Sequence, residues 1–389
     1  MTDGSLLRTS SKLAERAKAL LPLIDKFAEY SDEECQLAPD VVDAFHEAGL
    51  FKMWVPEELG GSELGPVQSL DVLAITAYGD ASAGWVQMAA CLSIGTGAAY
   101  LGDNAVAEMF TDDSYPVIAG QGTRPGKAVA TDGGYLVTGS WSFASGLKHG
   151  SHIHTLAIIE ETGEPRIFVV PVADAELLWD SWDVMGLRGT GSIDYHIHGA
   201  FVPEEYSHFA FTEQPKRGGV LYNIGIIGFA EICHSGWAIG VGRRLLDELA
   251  ELSRSKVGRP GAQVDNDAFV TGVAQIEAKY RAARALVYEA WTDATTAIEL
   301  GQPLSLRQAT LVRLALGQMT STLLDVANHV YLAAGTTALR RGTIQRLVRD
   351  VHAGTQHVTS GPGMWAACGR ELLGLADSKK WILLDLVDA

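Results

Sequence analysis

The sequence predicts an α+β fold with an N-terminal helical domain, a middle antiparallel β domain and a C-terminal four-helix bundle. Two changes in the hydrophobic pattern predict it. Helical periodicity gives way to short alternating and β-branched runs at Tyr115-Pro116, and long helical periods return after Gly218-Gly219. The predicted domains are residues 1–115, 116–215 and 216–389. Single cores rarely grow beyond about 250–300 residues, so several folding units suit a chain of 389 residues.

The first domain is predicted to be mainly helical. Residues 5–30 predict one amphipathic helix, because apolar side chains recur along one stripe: Leu13, Ala17, Leu20, Leu21, Ile24 and Phe27. A second helix is predicted to begin near Pro39 and to end at Gly49. Pro56 and the glycines that follow it interrupt regular structure. Residues 66–112 are helical in pattern and rich in small side chains, which favours close helix packing.

The middle domain is predicted from four short strand-like runs: residues 137–143, 154–160, 166–172 and 193–202. In the stretch YLVTGSWSFASG, residues 135–146, a period of two places one set of side chains on a single face: Tyr135, Val137, Gly139, Trp141, Phe143 and Ser145. The pattern alone leaves two interpretations open. The stretch is either an ordinary sheet core closed by a Ser-Gly turn, or a wall for a flat, conjugated ligand.

The C-terminal domain is predicted as an antiparallel bundle. Long helices are predicted at residues 221–257, 268–300 and 304–334, with shorter ones at 342–352 and 361–375, and short links join them.

Composition excludes several classes of partner. Thirty Lys and Arg residues against 47 Asp and Glu residues give a net charge of −17, which would repel nucleic acid. The four cysteines have no CxxC spacing, so neither a disulfide framework nor a zinc site is expected. The N-terminus lacks the apolar region of a signal peptide, and no run approaches the about 20 apolar residues of a membrane span. We therefore expect a cytoplasmic protein with no membrane partner.

Four stretches in order resemble the acyl-CoA dehydrogenase superfamily over nearly the whole chain. They are EAGLFKMWVPEELGG (residues 47–61), GSWSFASG (139–146), MGLRGTGSIDY (185–195) and QIEAKYRAARALVYEA (275–290). The resemblance implies a flavin between the β domain and the bundle, and a homotetramer. It also implies that Trp141, Phe143 and Ser145 contact the isoalloxazine, with Thr190 and Ser192 near the flavin.

Two arginines are candidate cofactor ligands. Arg188 lies in a glycine-rich loop, LRGTGS, whose backbone amides could form an anion-binding nest, and the alternative is a surface arginine in a β-turn. Arg254, in SRSKVGRP, resembles the arginine of an RxxFG motif that reaches a neighbouring subunit's flavin phosphate, although Val257 stands where phenylalanine is expected. A guanidinium is well suited to phosphate.

The C-terminal region separates two branches of the superfamily. Dehydrogenases carry a glutamate in a YEGT-like motif, because removal of the α-proton of a thioester needs a carboxylate base. Here no acidic residue occurs from Val351 to Gly369. Some dehydrogenases draw their base from an earlier helix, so this absence disfavours that branch and leaves it open. RDVHAGTQH, residues 349–357, instead resembles the flavin-dependent monooxygenase branch, which includes two-component phenol hydroxylases and dibenzothiophene monooxygenase. Its key histidine corresponds to His357, and Asp350 could orient that ring only if the helix continued past Gly354. Without the resemblance, a helix-end histidine bonded to backbone carbonyls is the alternative.

The sequence departs from that branch at one position. Several of its hydroxylases carry a second active-site histidine on the helix after an STGW-like motif. Here SAGWVQMAACLS, residues 82–93, keeps the Ser-x-Gly-Trp pattern but has Ser93, or the nearby Cys91, where that histidine would be. Trp85, Cys91 and Ser93 are therefore candidate substrate-binding residues, with Trp85 as a packing residue in the alternative.

Neither a metal nor a nicotinamide site is predicted. His149, His152 and His154 cluster, and His196 and His198 share one face of a strand, but no acidic or thiol ligand adjoins them in sequence. No GxGxxG follows a strand and begins a helix. We expect reduced FAD or FMN to come from a separate NAD(P)H:flavin reductase.

The resemblance therefore implies the oxygenase component of a two-component flavin-dependent monooxygenase. It would use reduced flavin and O2, through a C4a-hydroperoxyflavin, to oxygenate a small aromatic or heteroaromatic substrate, with His357 and Ser145 as catalytic residues. An acyl-CoA dehydrogenase or oxidase acting on a CoA thioester is the alternative. A helical-bundle interaction protein without flavin is a third possibility.

Overall fold

The computed structural model describes residues 7–111, 115–260, 262–361 and 363–388. Helices come first, a sheet follows, and further helices and a short hairpin come after the sheet. The predicted fold class, with its helical N-terminal part, central sheet and C-terminal helices, is confirmed.

Within the described ranges, six α-helices precede the sheet: α1 Lys12–Ala19, α2 Leu21–Glu34, α3 Pro39–Glu47, α4 Pro66–Gly79, α5 Ala81–Tyr100 and α6 Asp103–Met109. The single helix predicted over residues 5–30 is two helices, and residues 5 and 6 lie outside the described part. The break follows from Pro22 in the first turn of α2, since proline has no N–H to continue a preceding helix. The long apolar stretch at 66–112 is likewise divided, and the Asp80 carboxylate caps α5 by accepting the N–H of Ala83.

Seven strands form the central sheet: β1 Ile118–Thr131, β2 Gly134–Trp141, β3 His152–Ile159, β4 Pro165–Pro171, β5 Glu176–Leu178, β6 Asp194–Pro203 and β7 Ser207–Phe209. Their order across the sheet is β5-β6-β2-β1-β3-β4-β7. Five of the neighbouring pairs are antiparallel, as predicted, and β1 and β3 are parallel. The parallel pair arises because β2 and β3 lie on opposite sides of β1, so residues 142–151 must cross over the end of β1.

The crossover segment begins earlier than the alternating pattern predicts. The pattern continues to Ser145, but β2 ends at Trp141. Phe143 adopts a left-handed backbone conformation with φ of 69°, which ends the strand and leaves its ring 68% exposed. Ser145 is consequently carried above the sheet, towards the helices.

Five helices and a hairpin follow the sheet: α7 Gly225–Arg254, α8 Asp267–Glu299, α9 Leu306–Ala334, α10 Thr343–Gly354, α11 Gly363–Leu372, β8 Lys379–Ile382 and β9 Asp385–Asp388. The hairpin was not predicted. Helix α7 packs closely on α4, because Gly236 and Gly240 lie where any Cβ would overlap Leu73 or Ala74. The two helices thus join the N-terminal and C-terminal parts in one hydrophobic core.

Helix α7 also bears on the expectation of no membrane span. By length and composition alone, the segment Val220–Arg254 could cross a membrane. However, 78% of its most apolar window is buried among the protein's own helices. It also buries the side chains of Glu231 and Arg243, each in an ion pair. These are properties of a core helix.

Candidate active site

A chain of hydroxyl groups connects helix α5 with the crossover segment and the loop before β6. The indole Nε1 of Trp85 donates to Oγ of Ser145 at 3.0 Å. Oγ of Ser145 lies 2.8 Å from Oγ of Ser192, which lies 2.6 Å from Oγ1 of Thr190. Oγ1 of Thr190 donates to the carbonyl of Leu187 at 2.7 Å. Three of the residues that the resemblance places near the flavin are therefore in contact with one another.

The direction of the hydrogen bonds in this chain is fixed at both ends. An indole nitrogen can only donate, and a backbone carbonyl can only accept. Because the Thr190 proton is directed to the Leu187 carbonyl, Ser192 must donate to Thr190, and Ser145 must donate to Ser192. Ser145 is thus left with one free lone pair, so its oxygen can accept a further hydrogen bond and cannot donate one.

Helix α10 delivers His357 to the same place. The helix ends at Gly354, where any Cβ would overlap the Trp237 ring, and the chain then turns. The N–H of His357 bonds to the carbonyl of Gly354 at 3.2 Å. The imidazole comes to lie 5.8 Å from the Trp85 ring, measured between centroids, with the planes at 75°.

The hydrogen bonds of His357 fix its tautomer. The backbone N–H of Thr359 donates to Nδ1 at 3.3 Å, and Oγ1 of Thr359 lies 2.9 Å from the same nitrogen. Nδ1 is therefore an acceptor, and the neutral ring carries its proton on Nε2. Burial lowers the pKa of His357 to about 4, so the ring is neutral at physiological pH. His357 can consequently donate a hydrogen bond through Nε2. This arrangement differs from the alternative in which the ring donates to backbone carbonyls.

A second histidine that sequence reasoning missed lies against His357. His234, in α7, stacks on His357 with ring centroids 4.2 Å apart and planes at 29°. The Trp85 ring lies 5.1 Å from His234 and 5.0 Å from Trp237. Burial, and then repulsion from His357, lowers the pKa of His234 well below its usual value. The site thus has two neutral imidazoles among indole rings, and all but His357 are less than a tenth exposed.

The two aromatic residues predicted to wall the isoalloxazine lie in different surroundings. Trp141 is buried in the sheet core, where it stacks on Tyr195 at 5.3 Å and its indole N–H donates to the carbonyl of Leu156 at 3.1 Å. Phe143 is exposed and meets the edge of Trp182, with centroids 6.1 Å apart. Of the two residues, Phe143 is exposed and Trp141 is buried, so the geometry favours the core interpretation for Trp141 and is compatible with the wall interpretation for Phe143.

The two predicted phosphate-binding arginines are apart from this cluster. Arg188 donates to the carbonyls of Asp32 and Val184, which fastens its loop to α2. It lines a cavity of about 440 Å³ at the beginning of α10, whereas His357 follows the end of that helix. Arg254 ends α7 and pairs with Glu251 at 2.7 Å, with its side chain half exposed. Their assignment as cofactor ligands stays a prediction.

Cys91 and Ser93, the two residues predicted to stand where related hydroxylases have a histidine on α5, are not in contact with the cluster of Trp85 and His357 among the described hydrogen bonds. The Cys91 thiol is buried and donates to the carbonyl of Leu50 at 3.2 Å, and burial raises its pKa. Ser93 is buried two turns beyond Trp85, about 12 Å along the helix axis. Neither residue has a hydrogen bond that links it to Trp85 or His357 within the described ranges, so their role as substrate ligands stays a prediction.

Asp350 has a different role from the orienting one considered for it. Because α10 ends at Gly354, Asp350 does not share a continuous helix with His357. Its Oδ1 accepts the backbone N–H of Leu187 at 2.6 Å. Burial, together with repulsion from Asp80, raises the pKa of Asp350 to about 7. Asp350 therefore anchors Leu187, whose carbonyl accepts the last hydrogen bond of the hydroxyl chain.

The strand histidines also differ from one another. His198 is exposed and lies 3.0 Å from Oε2 of Glu176, an acidic neighbour supplied by β5 that is not adjacent in sequence. His154 is buried in β3, and burial lowers its pKa to about 3. No group of three or more possible metal ligands occurs among the residues that the structure describes.

Comparisons with known proteins agree with this geometry. Family models of the acyl-CoA dehydrogenase N-terminal domain and C-terminal domain match residues 16–110 and 232–361. The chain is 28% identical over 353 residues to indole-3-acetate monooxygenase of Pseudomonas putida, covering 88% of this chain and 89% of that one. It is 26% identical to the flavin-dependent monooxygenase oxygenase subunit HsaA of Rhodococcus jostii, covering 90% and 94%. The solved structure of XiaF from Streptomyces, in complex with FADH2 and glycerol, shares the fold with a TM-score of 0.83 and 22% identity, covering 93% and 95%.

The chain belongs to the acyl-CoA dehydrogenase family, in its flavin-dependent monooxygenase branch. The prediction of an enzyme that is the oxygenase component of a flavin-dependent monooxygenase is thereby confirmed. The acyl-CoA dehydrogenase alternative is less supported, because the group at the site is an imidazole.

Proposed function

We propose that this chain oxygenates a small aromatic or heteroaromatic substrate at the cluster formed by Trp85, Ser145, His234 and His357. The observation that carries the proposal is the His357 imidazole, held neutral against Trp85 with its Nε2–H free to donate. A thioester dehydrogenase needs a carboxylate base, whereas a neutral imidazole suits the donation of a hydrogen bond to an oxygen atom.

The residues present fit a reduced flavin. Ser145 offers an acceptor oxygen whose own proton is committed to Ser192, and a reduced flavin ring presents N–H donors. The exposed Phe143, two residues before Ser145, offers an apolar ring near it. Bound reduced flavin supplies the two electrons with which O2 is activated. The chain's own part is to hold the ring at Ser145 and to exclude water with Trp85 and Trp237.

The relatives support an aromatic substrate. The named relative from Pseudomonas putida acts on indole-3-acetate, a heteroaromatic compound. In this chain, Trp85 and the two imidazoles form an aromatic cluster against which such a ring would pack. We therefore assign a flat ring of indole or phenol size as the substrate class.

We further propose that the electrons come from a separate NAD(P)H:flavin reductase, as the name of the oxygenase subunit relative suggests. Either FADH2 or FMNH2 would serve, and Arg254 would bind the flavin phosphate of a neighbouring subunit. A homotetramer would cover apolar side chains at the C-terminal end of the chain that are exposed in one copy: Leu372, Leu373 and Leu375. We place the enzyme in the cytoplasm, where reduced thiols and NAD(P)H are available.

The test supplies the protein with each reduced flavin in turn, under air, with a panel of phenols and indoles. The expected result is a hydroxylated or otherwise oxygenated product and consumption of one O2 per product. The parallel arm mixes the flavin-loaded protein with acyl-CoA thioesters under anaerobic conditions. Flavin reduction by a thioester, without any aromatic product in the first arm, would contradict the proposal. Light scattering completes the test, with four times the 41.6 kDa chain mass expected.

A further inference from the structure

His234 has the properties of a proton acceptor for the site. It stacks on His357 at 4.2 Å and is 7% exposed. Among the described residues neither of its ring nitrogens makes a hydrogen bond. In either neutral tautomer the ring therefore retains one nitrogen with a free lone pair. No branch motif accounts for His234, since the second histidine of the related hydroxylases is expected on α5.

His357 cannot fill the same role without losing its own bonds. Its Nδ1 is occupied by the backbone N–H of Thr359 and lies beside the hydroxyl of that residue. The remaining nitrogen, Nε2, carries the proton and donates. The two stacked rings are thus complementary. His357 is a donor, because Thr359 occupies its Nδ1, and His234 is an acceptor, because one of its unbonded nitrogens keeps a free lone pair.

Resting on the proposed function, we propose that His234 accepts the O–H proton of a phenolic substrate while His357 donates through Nε2–H. Proton loss makes the ring electron-rich at the carbon that forms the new C–O bond. One atom of O2 enters that bond and the other leaves as water, with the two electrons taken from the reduced flavin. The O–O bond breaks as the C–O bond forms. The ring carbon then loses its hydrogen as a proton to solvent, and His234 returns its proton to the substrate oxygen. His234 is neutral again at the end of the cycle.

The surroundings limit His234 to a transient charge. Burial and repulsion from His357 lower its pKa, so the protonated ring is disfavoured and readily gives its proton back. Only one of two rings stacked at this distance can be protonated without strong repulsion, so a neutral His357 is required when His234 takes the proton.

The test replaces His234 with Gln and, separately, with Phe, and uses His198→Gln, on the exposed surface of β6, as the matched control. Turnover is measured on a series of phenols of increasing acidity. For weakly acidic phenols we expect both His234 variants to lose a factor of about 10²–10⁴, the usual contribution of a general base. For phenols already ionised in the buffer we expect nearly wild-type turnover, because no proton remains to be removed. A residue that only supports the fold would not discriminate between substrates in this way.

An equal loss on every phenol, or no loss, would overturn the proposal. If neither variant folds, the product yields of the wild type are compared on a phenol and on its methyl ether, which has no ionisable proton. Equal product yields from the two would also overturn it, whereas hydrogen peroxide in place of product from the ether supports it. If the wild type oxygenates no aromatic compound at all, the proposed function fails, and that result is distinct from the failure of His234 alone.

Discussion

Removal of the Ser145 hydroxyl should damage both stability and the use of O2. In Ser145→Ala the buried indole N–H of Trp85 loses its acceptor, now at 3.0 Å. A buried donor left unpaired costs about 1–3 kcal/mol, so the free energy of unfolding in urea should fall by that amount. The variant also loses an acceptor for the flavin N–H. A neutral hydrogen bond worth about 0.5–1.5 kcal/mol corresponds to an increase of about 2- to 10-fold in hydrogen peroxide released per turnover.

The direction of the hydrogen bonds among Ser145, Ser192 and Thr190 predicts the effect of a second variant. Ser192→Ala removes the oxygen that lies 2.8 Å from Oγ of Ser145 and accepts its proton. The Ser145 hydroxyl can then rotate and direct its proton towards the flavin, so that it donates a hydrogen bond and no longer accepts one. We therefore expect Ser192→Ala to release nearly as much hydrogen peroxide as Ser145→Ala. The double variant should be no worse than either single variant, because both changes remove one function. Ser142→Ala is the control. Additive effects, or a harmless Ser192→Ala, would refute the assigned direction of the hydrogen bonds.

Three further predictions concern packing, the cofactor and pH. Gly354→Ala should lower the free energy of unfolding by about 1–3 kcal/mol, because the added Cβ would overlap the Trp237 ring. Gly363→Ala is the control, since a Cβ there meets open space, and it should leave the free energy of unfolding unchanged. Thermal melts compare the two variants. Arg254→Ala should weaken flavin binding by about 10- to 100-fold in a fluorescence titration without lowering the melting temperature, since the residue is exposed; unchanged affinity would show that it binds no phosphate. The pKa of His357 is lowered from 6.5 to about 4, so the unfolded chain binds its proton first and the wild type loses stability as the pH falls from 6.5 to 4. His357→Gln should lose less over that window, and equal slopes in urea titrations at each pH would be inconsistent with a buried, neutral ring.

The order of helices, sheet and helices could be predicted because long periodic segments are the strongest signal in a sequence. The break between α1 and α2 has a signal in Pro22, which the stripe of apolar residues across the break outweighs in the pattern. The residue at which β2 ends could not be predicted from the alternating pattern. The alternation continues through Phe143, and the left-handed conformation there follows from the path over β1, which is a property of the tertiary structure.

The site could be predicted only where a linear motif carries it. Ser145, Thr190 and Ser192 lie in short recognisable stretches, and His357 lies in another. His234 lies in α7, which is buried on nearly every side, so no polar stripe marks the residue as different from a packed core histidine. Its relation to His357 depends on how α10 ends against Trp237. That contact between distant segments has no trace in the sequence pattern.

The central claim is that a neutral imidazole at His357 directs one atom of O2 into an aromatic substrate. The most direct measurement supplies reduced flavin and ¹⁸O₂ to the wild type and to His357→Ala and follows the label by mass spectrometry. We predict one labelled oxygen in each product molecule of the wild type. For the variant we predict labelled hydrogen peroxide instead, with product reduced by a factor of about 10²–10⁴. Unlabelled product from the wild type, or equal labelled product from both proteins, would contradict the account.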